Sequence, residues 1–206
     1  ETSGGMAYLA MPFIEGELLC DRAIREGQLP IGVVARFVSD IAAGLQVAHA
    51  LGIIHRDLKP ENVMIQPRAD GTERAVVMDF GLAKERRMGA EVRKLTATGI
   101  VLGTPEFMSP EQLRGKPLDP RTDIYSLGLM TVELLTGQLP FAGKTQQDVM
   151  IARLKGEPRP IRAIRPELGF SAAVEQVLLR SLARDPGDRY ATAPEFAQAF
   201  AQAARS

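Results

Sequence analysis

The stretch from Thr122 to Thr136 constrains the fold more than any other. It places Ile124, Tyr125, Leu127, Leu129, Met130, Val132, Leu134 and Leu135 on several faces of one helix. A surface helix keeps a polar face, so one that is apolar nearly all round must lie in the middle of a domain. Gly137 supplies its stop signal. The rest of the chain has to cover it. Between Pro30 and His49, the residues Val34, Phe37, Val38, Ile41, Leu45 and Ala48 fall on one helical face, with Arg36, Ser39, Asp40 and Gln46 elsewhere, which predicts an amphipathic helix on that core. Three more helical stretches follow near Gln146–Lys155, Ser171–Arg184 and Thr192–Ala204, punctuated by Pro158, Pro160, Pro166, Pro186 and Gly187.

Strand signals are few. Val63-Met64-Ile65 and Ala75-Val76-Val77-Met78 flank Asp70-Gly71, the turn chemistry of a hairpin. Tyr8 to Ile14 reads as a strand that leaves its sheet through Glu15-Gly16-Glu17 into a linker. From Lys84 to Gly103 periodicity is lost, as in a long functional loop. The expected fold is one mainly α domain with a small β hairpin.

With 206 residues, 45% of them hydrophobic, the chain can bury a substantial core. Its 25 basic and 25 acidic residues cancel, so no global field favours nucleic acid or an anionic membrane surface. The single cysteine, Cys20, cannot close an internal disulfide, which fits a reducing, cytoplasmic setting. The apolar stretch around Leu127–Leu135 is interrupted by Glu133 and falls far short of the roughly 18 residues of a membrane span, so no membrane contact is expected from this segment. The chain opens on Glu1 without a basic start or an apolar targeting run, which suggests that it begins inside a longer protein, one that could be membrane-anchored elsewhere.

The chemistry concentrates in His55-Arg56-Asp57-Leu58-Lys59-Pro60-Glu61-Asn62, between the amphipathic helix and the hairpin. An acid here can orient or deprotonate an attacking hydroxyl, a lysine can neutralise charge on a moving phosphoryl group, and an amide oxygen can bind magnesium. Asp79-Phe80-Gly81, after the second hairpin strand, adds another hard oxygen ligand.

These two motifs resemble those of the protein kinase family. The similarity continues through Gly103-Thr104-Pro105, Ser109-Pro110-Glu111, Asp123-Ile124-Tyr125-Ser126-Leu127-Gly128 and Arg189, in the family's order and spacing. It covers nearly the whole chain, and its texture is closest to bacterial kinases of the eukaryotic-like type. The resemblance implies the family's large, C-terminal lobe: residues 1–16 as the last small-lobe strand and hinge, and residues 17–206 as the C-terminal lobe.

By the same resemblance Asp57 is the catalytic base, Lys59 contacts the γ-phosphate, and Asn62 and Asp79 hold Mg²⁺, or Mn²⁺ in its place. Met11 guards the adenine pocket, the Pro12 carbonyl and Ile14 amide address the adenine edge of ATP, and Met64 forms the floor. Arg56 is a cation that phosphate on Thr96 or Thr98 could engage, while Thr104 lies beside the hydroxyl of the protein substrate. His55, Phe80, Glu111, Asp123 and Arg189 are structural: His55 packs near Phe80, and Arg189 pairs with Glu111. His49 is expected at the core or its boundary, and Met78 in the core.

A complete kinase also needs a glycine-rich loop, an upstream lysine and a glutamate that pairs with it. None can be assigned in this sequence, so the isolated chain is expected to have little or no activity without a small lobe. The competing expectation is a non-catalytic half-kinase that binds partners, against which the intact set Asp57, Lys59, Asn62 and Asp79 weighs.

Overall fold

The computed structural model describes residues 14–80 and 105–206, together with the backbone of Thr2–Ser3 and Met6–Ala7. The central element is α4 (Arg121–Thr136), in which every residue but Arg121 and Glu133 is buried. It ends where expected, with Gly137 in the left-handed region at φ 71° donating its N–H to the Glu133 carbonyl. Around it pack α2 (Ile31–Ala50), α7 (Ala172–Ser181), α8 (Ala193–Ala203) and the short α6 (Ile161–Ile164). One continuous core joins α2, α4, α7 and α8 to the inner face of the sheet.

Helix starts follow local capping chemistry. Thr145 and Asp148 form a capping box ahead of α5 (Gln146–Lys155), and Ser109 and Gln112 form another ahead of α3 (Pro110–Leu113). Ser171 and Thr192 each accept an N–H from the first turn of α7 and α8. Each such bond satisfies an amide the helix itself cannot.

The helix α2 has a mean hydropathy of 1.5 over a membrane-length window and is the one described helix long and apolar enough to span a bilayer by those two measures. The apolar run Leu127–Leu135 is shorter and is interrupted by Glu133. Its Val34, Phe37, Val38, Ile41 and Leu45 are buried against α8 and the sheet, so its apolar stripe is accounted for by the core.

After β1 (Thr2–Ser3), β2 (Met6–Ala7) and β3 (Glu17–Leu18), the hairpin forms from β4 (Val63–Pro67) and β5 (Glu73–Val77), with Val63 opposite Val77 and Ile65 opposite Ala75. It differs from the expected hairpin by a third strand. Glu17–Leu18, read as linker, pairs antiparallel with β4, Leu18 opposite Met64. A two-residue strand is too short to leave a period in the sequence. Thr2–Ser3 and Met6–Ala7 form a separate antiparallel pair, and the strand expected over 8–14 lies outside the described residues except for Ile14. Helix α1 (Leu19–Glu26) was also missed, because Leu19 is its one buried side chain. The loop 84–103 lies outside the described residues.

Candidate active site

Asp123, fully buried near the start of α4, builds the site from below. Its Oδ2 accepts the His55 amide at 2.8 Å and meets His49 Nε2 at 2.7 Å, and its Oδ1 accepts the Arg56 amide at 2.9 Å. Two consecutive amides turned to one carboxylate explain how Arg56 is held at φ 66°, a conformation that costs a non-glycine residue of order 1–3 kcal/mol. His49, on the last turn of α2, thus ties that helix to the loop.

The next turn gathers the candidate chemistry. Lys59 Nζ lies 3.8 Å from Asp57 Oδ2. The Asn62 side-chain amide donates to the Asp57 carbonyl at 2.7 Å and to Asp57 Oδ2 at 3.3 Å. The Asn62 carbonyl accepts the Met78 amide at 2.9 Å, which anchors the chain one residue before Asp79. Asp79 itself sits at φ 52°. With its amide nitrogen committed to Asp57, the Asn62 side-chain oxygen accepts no hydrogen bond among the described residues and can serve a ligand. An amide oxygen and a carboxylate are the hard donors that suit Mg²⁺.

His55 is wholly buried and its ring bridges the two motifs. Nε2 meets the Met78 carbonyl at 2.8 Å, Nδ1 accepts the Asp57 amide at 3.3 Å, and the ring centroid lies 4.8 Å from that of Phe80. A carbonyl can only accept, so the proton sits on Nε2 and Nδ1 is the acceptor.

On the opposite side of β4 from the core, half-buried Met64 faces the segment that follows half-buried Ile14. The segment comes close: a Cβ at Gly16 would lie 2.2 Å from the Ile65 carbonyl oxygen and 3.2 Å from Met64 Cγ. Glycine is required there, a signal the sequence offered as a turn residue only. Met11, Pro12, Gly81, Thr96, Thr98 and Thr104 lie outside the described residues.

Further on, Glu111 and Arg189 form a buried two-pronged pair, and Gln112 donates from its side chain to the Arg56 carbonyl at 2.7 Å. Gln112 escaped the sequence reading; its place three residues after Ser109 was the available signal. Glu133 was read only as an interruption. It faces a cavity of about 360 Å³ shared with Cys20, Glu61 and Glu106. Burial, then Glu106 and Glu61, push its carboxyl up to about 7. Burial likewise raises the Cys20 thiol above its ordinary value.

A family model described as "Protein kinase domain" matches residues 2–201. The chain belongs to the protein kinase family. Among its relatives, the serine/threonine-protein kinase pkn3 of Myxococcus xanthus is 41% identical over 196 residues, 95% of this chain and 36% of that protein. The serine/threonine-protein kinase PknB of Mycobacterium leprae is 39% identical over 196 residues, 95% of this chain and 30% of that protein. These place the chain with the bacterial, eukaryotic-like serine/threonine kinases. The PknI kinase domain of Mycobacterium tuberculosis superposes with a TM-score of 0.67 at 27% identity, covering 93% of this chain and 64% of that structure. The chain therefore spans about a third of the length of the curated relatives named here.

Proposed function

We propose that the chain is the large, C-terminal lobe of an ATP-dependent protein serine/threonine kinase, with residues 1–16 as the last small-lobe strand and hinge and residues 17–206 as the lobe itself. The observation that supports this reading is the double tie of Asn62, side chain to Asp57 and main chain to Met78, which holds Asn62 against Asp57 and anchors the chain one residue before Asp79.

In the proposed mechanism Asp57 orients the acceptor hydroxyl and takes its proton as the oxygen attacks the γ-phosphorus of ATP and the bond from that phosphorus to ADP, the leaving group, breaks. Lys59, held beside Asp57, neutralises charge on the phosphoryl group in flight. Asn62 and Asp79 would hold Mg²⁺ or Mn²⁺, which would offset charge on the ATP phosphates. Met64 would form the floor of the adenine pocket, the Pro12 carbonyl and Ile14 amide would address the adenine edge, and Met11 would guard the back. Phosphate on Thr96 or Thr98 would act through Arg56 on the segment that leads to Thr104.

The test is transfer of phosphate from ATP with Mg²⁺ to a generic protein substrate. It compares this chain, its Asp57→Asn variant, and a version extended to a complete small lobe. Activity in the extended form alone supports this reading. Asp57-dependent activity in the short chain shows that a small lobe is dispensable, and inactivity in both forms favours a binding module.

A further inference from the structure

Four successive carbonyls, from Pro105 to Met108, are all held by buried side chains from two helices. Arg153 of α5, 1% exposed, donates through Nη1 to the Pro105 carbonyl at 2.7 Å and to the Met108 carbonyl at 3.0 Å, and through Nη2 to the Glu106 carbonyl at 2.6 Å. Ser126 of α4, 3% exposed, donates to the Phe107 carbonyl at 2.8 Å. The guanidinium carbon also lies 5.5 Å from the Phe141 ring centroid, so its remaining face rests on an aromatic wall.

The Arg153 Nε is buried without a partner among the described residues, so burying this guanidinium is costly, and a short turn does not need a charged clamp merely to cover the core. What the clamp achieves is rigidity: the main chain of 105–108 cannot shift without breaking charge-assisted bonds. This turn follows directly on Thr104, the residue the kinase reading puts beside the acceptor hydroxyl.

We propose that Arg153, assisted by Ser126, is a positioning residue that fixes the 105–108 turn as a preformed seat for the acceptor polypeptide. The proposal rests on the kinase reading above. Arg153 touches neither ATP nor the reacting atoms; it acts through the turn. A loosened turn admits the acceptor in unproductive placements, so the defect falls on acceptor use and not on nucleotide use.

The experiment uses the full-length kinase containing this chain, with dephosphorylated casein as acceptor, and compares wild type with Arg153→Gln, Arg153→Lys and Ser126→Ala. Arg153→Gln is expected to lower kcat/KM for casein about ten- to hundredfold, chiefly through KM, with the KM for ATP within about twofold of wild type. Arg153→Lys, which keeps a charge and three donors, recovers part of the loss, and Ser126→Ala shows a smaller one. An unchanged casein KM in Arg153→Gln overturns the proposal, as does an ATP KM that moves in parallel. Amide exchange at Glu106 to Met108 is followed in the same proteins and should accelerate in Arg153→Gln. If wild type transfers no phosphate, the kinase reading fails on its own, and this arm still decides the clamp: unchanged exchange at those amides overturns it.

Discussion

Arg189 grips Glu111 through two parallel bonds, Nη1 to Oε1 at 2.7 Å and Nη2 to Oε2 at 2.8 Å, across 78 residues of sequence. Thr122 Oγ1 also donates to Glu111 Oε1, the Ala183 carbonyl accepts from Arg189 Nε, and the guanidinium lies 4.7 Å from the Tyr125 ring centroid. A buried ion pair is tolerated when its remaining donors and acceptors are satisfied in this way, and removing one partner strands a charge. Arg189→Met or Glu111→Gln should each cost about 3–5 kcal/mol in urea unfolding. The double variant should lose less than the sum, since neither charge is then left alone. A single variant within about 1 kcal/mol of wild type would show that the pair does not fasten α3 to the base of the domain.

Buried Glu111 and half-buried Glu133 should respond to pH in opposite senses. Burial pushes Glu111 up, but the bonds and charge of Arg189 outweigh it and leave the carboxyl below its ordinary 4.5. Its contribution is therefore fully present above that value and is lost as pH falls through the lowered folded one. Glu133 runs the other way. Burial, then Glu106 and Glu61, raise it from 4.5 to about 7, so the folded chain holds a proton that the unfolded chain releases between those values. Stability is whole below 4.5 and declines as pH rises through 7. Glu133→Gln should be more stable than wild type at about pH 8, by on the order of 1–3 kcal/mol, and match it near pH 4.5. A difference that does not vary with pH would show that Glu133 ionises without hindrance.

How far the sequence revealed this architecture depended on period. The stripe from Val34 to Ala48 and the all-round apolar run from Ile124 to Leu135 repeat often enough to announce α2 and α4, and both helices occupy almost the predicted spans. Glu17–Leu18 and Ile161–Ile164 are shorter than any repeat that could announce them. In the candidate site, Asp57, Lys59, Asn62 and Asp79 stood out because they lie in two short motifs. Arg153 did not, because its partners are backbone carbonyls 45 to 48 residues away, and main-chain acceptors leave no mark on side-chain spelling. Glu133 was hidden for a related reason: its neighbours Glu61 and Glu106 reach it only through the fold.

Gly128 marks a close crossing of α4 and α7. A Cβ there would lie 2.3 Å from Ser181 Oγ, 3.1 Å from Ser181 Cβ and 3.2 Å from Leu182 Cδ2. In an exposed helix, replacing glycine by alanine gains about 1 kcal/mol of propensity. Here the hydroxyl could rotate away, at the expense of its 2.7 Å bond to the Leu178 carbonyl, but the two carbons would still be crowded. Overpacking of this kind costs about 1–3 kcal/mol, so Gly128→Ala should be net destabilising, by about 1 kcal/mol. Adding Ser181→Ala should restore part of the loss. A stabilised Gly128→Ala would mean that the helices separate freely at this point.

His55 offers the sharpest separation of a structural role from a chemical one. Its two ring nitrogens are committed to the Asp57 amide and the Met78 carbonyl, so the ring couples the candidate base to the strand end that carries Asp79. His55→Phe preserves a ring against Phe80 while leaving a buried donor and acceptor unpaired, at about 1–3 kcal/mol for each group. Unfolding should show that loss, and in the full-length kinase phosphate transfer should fall because Asp57 is less firmly placed. The remaining fraction of wild-type activity should be the same across about pH 6 to 8, since a ring that only positions its neighbours contributes no limb to the pH profile in that range. A limb that disappears in His55→Phe would instead make the imidazole a proton carrier, and the coupling through Met78 would then be incidental to its role.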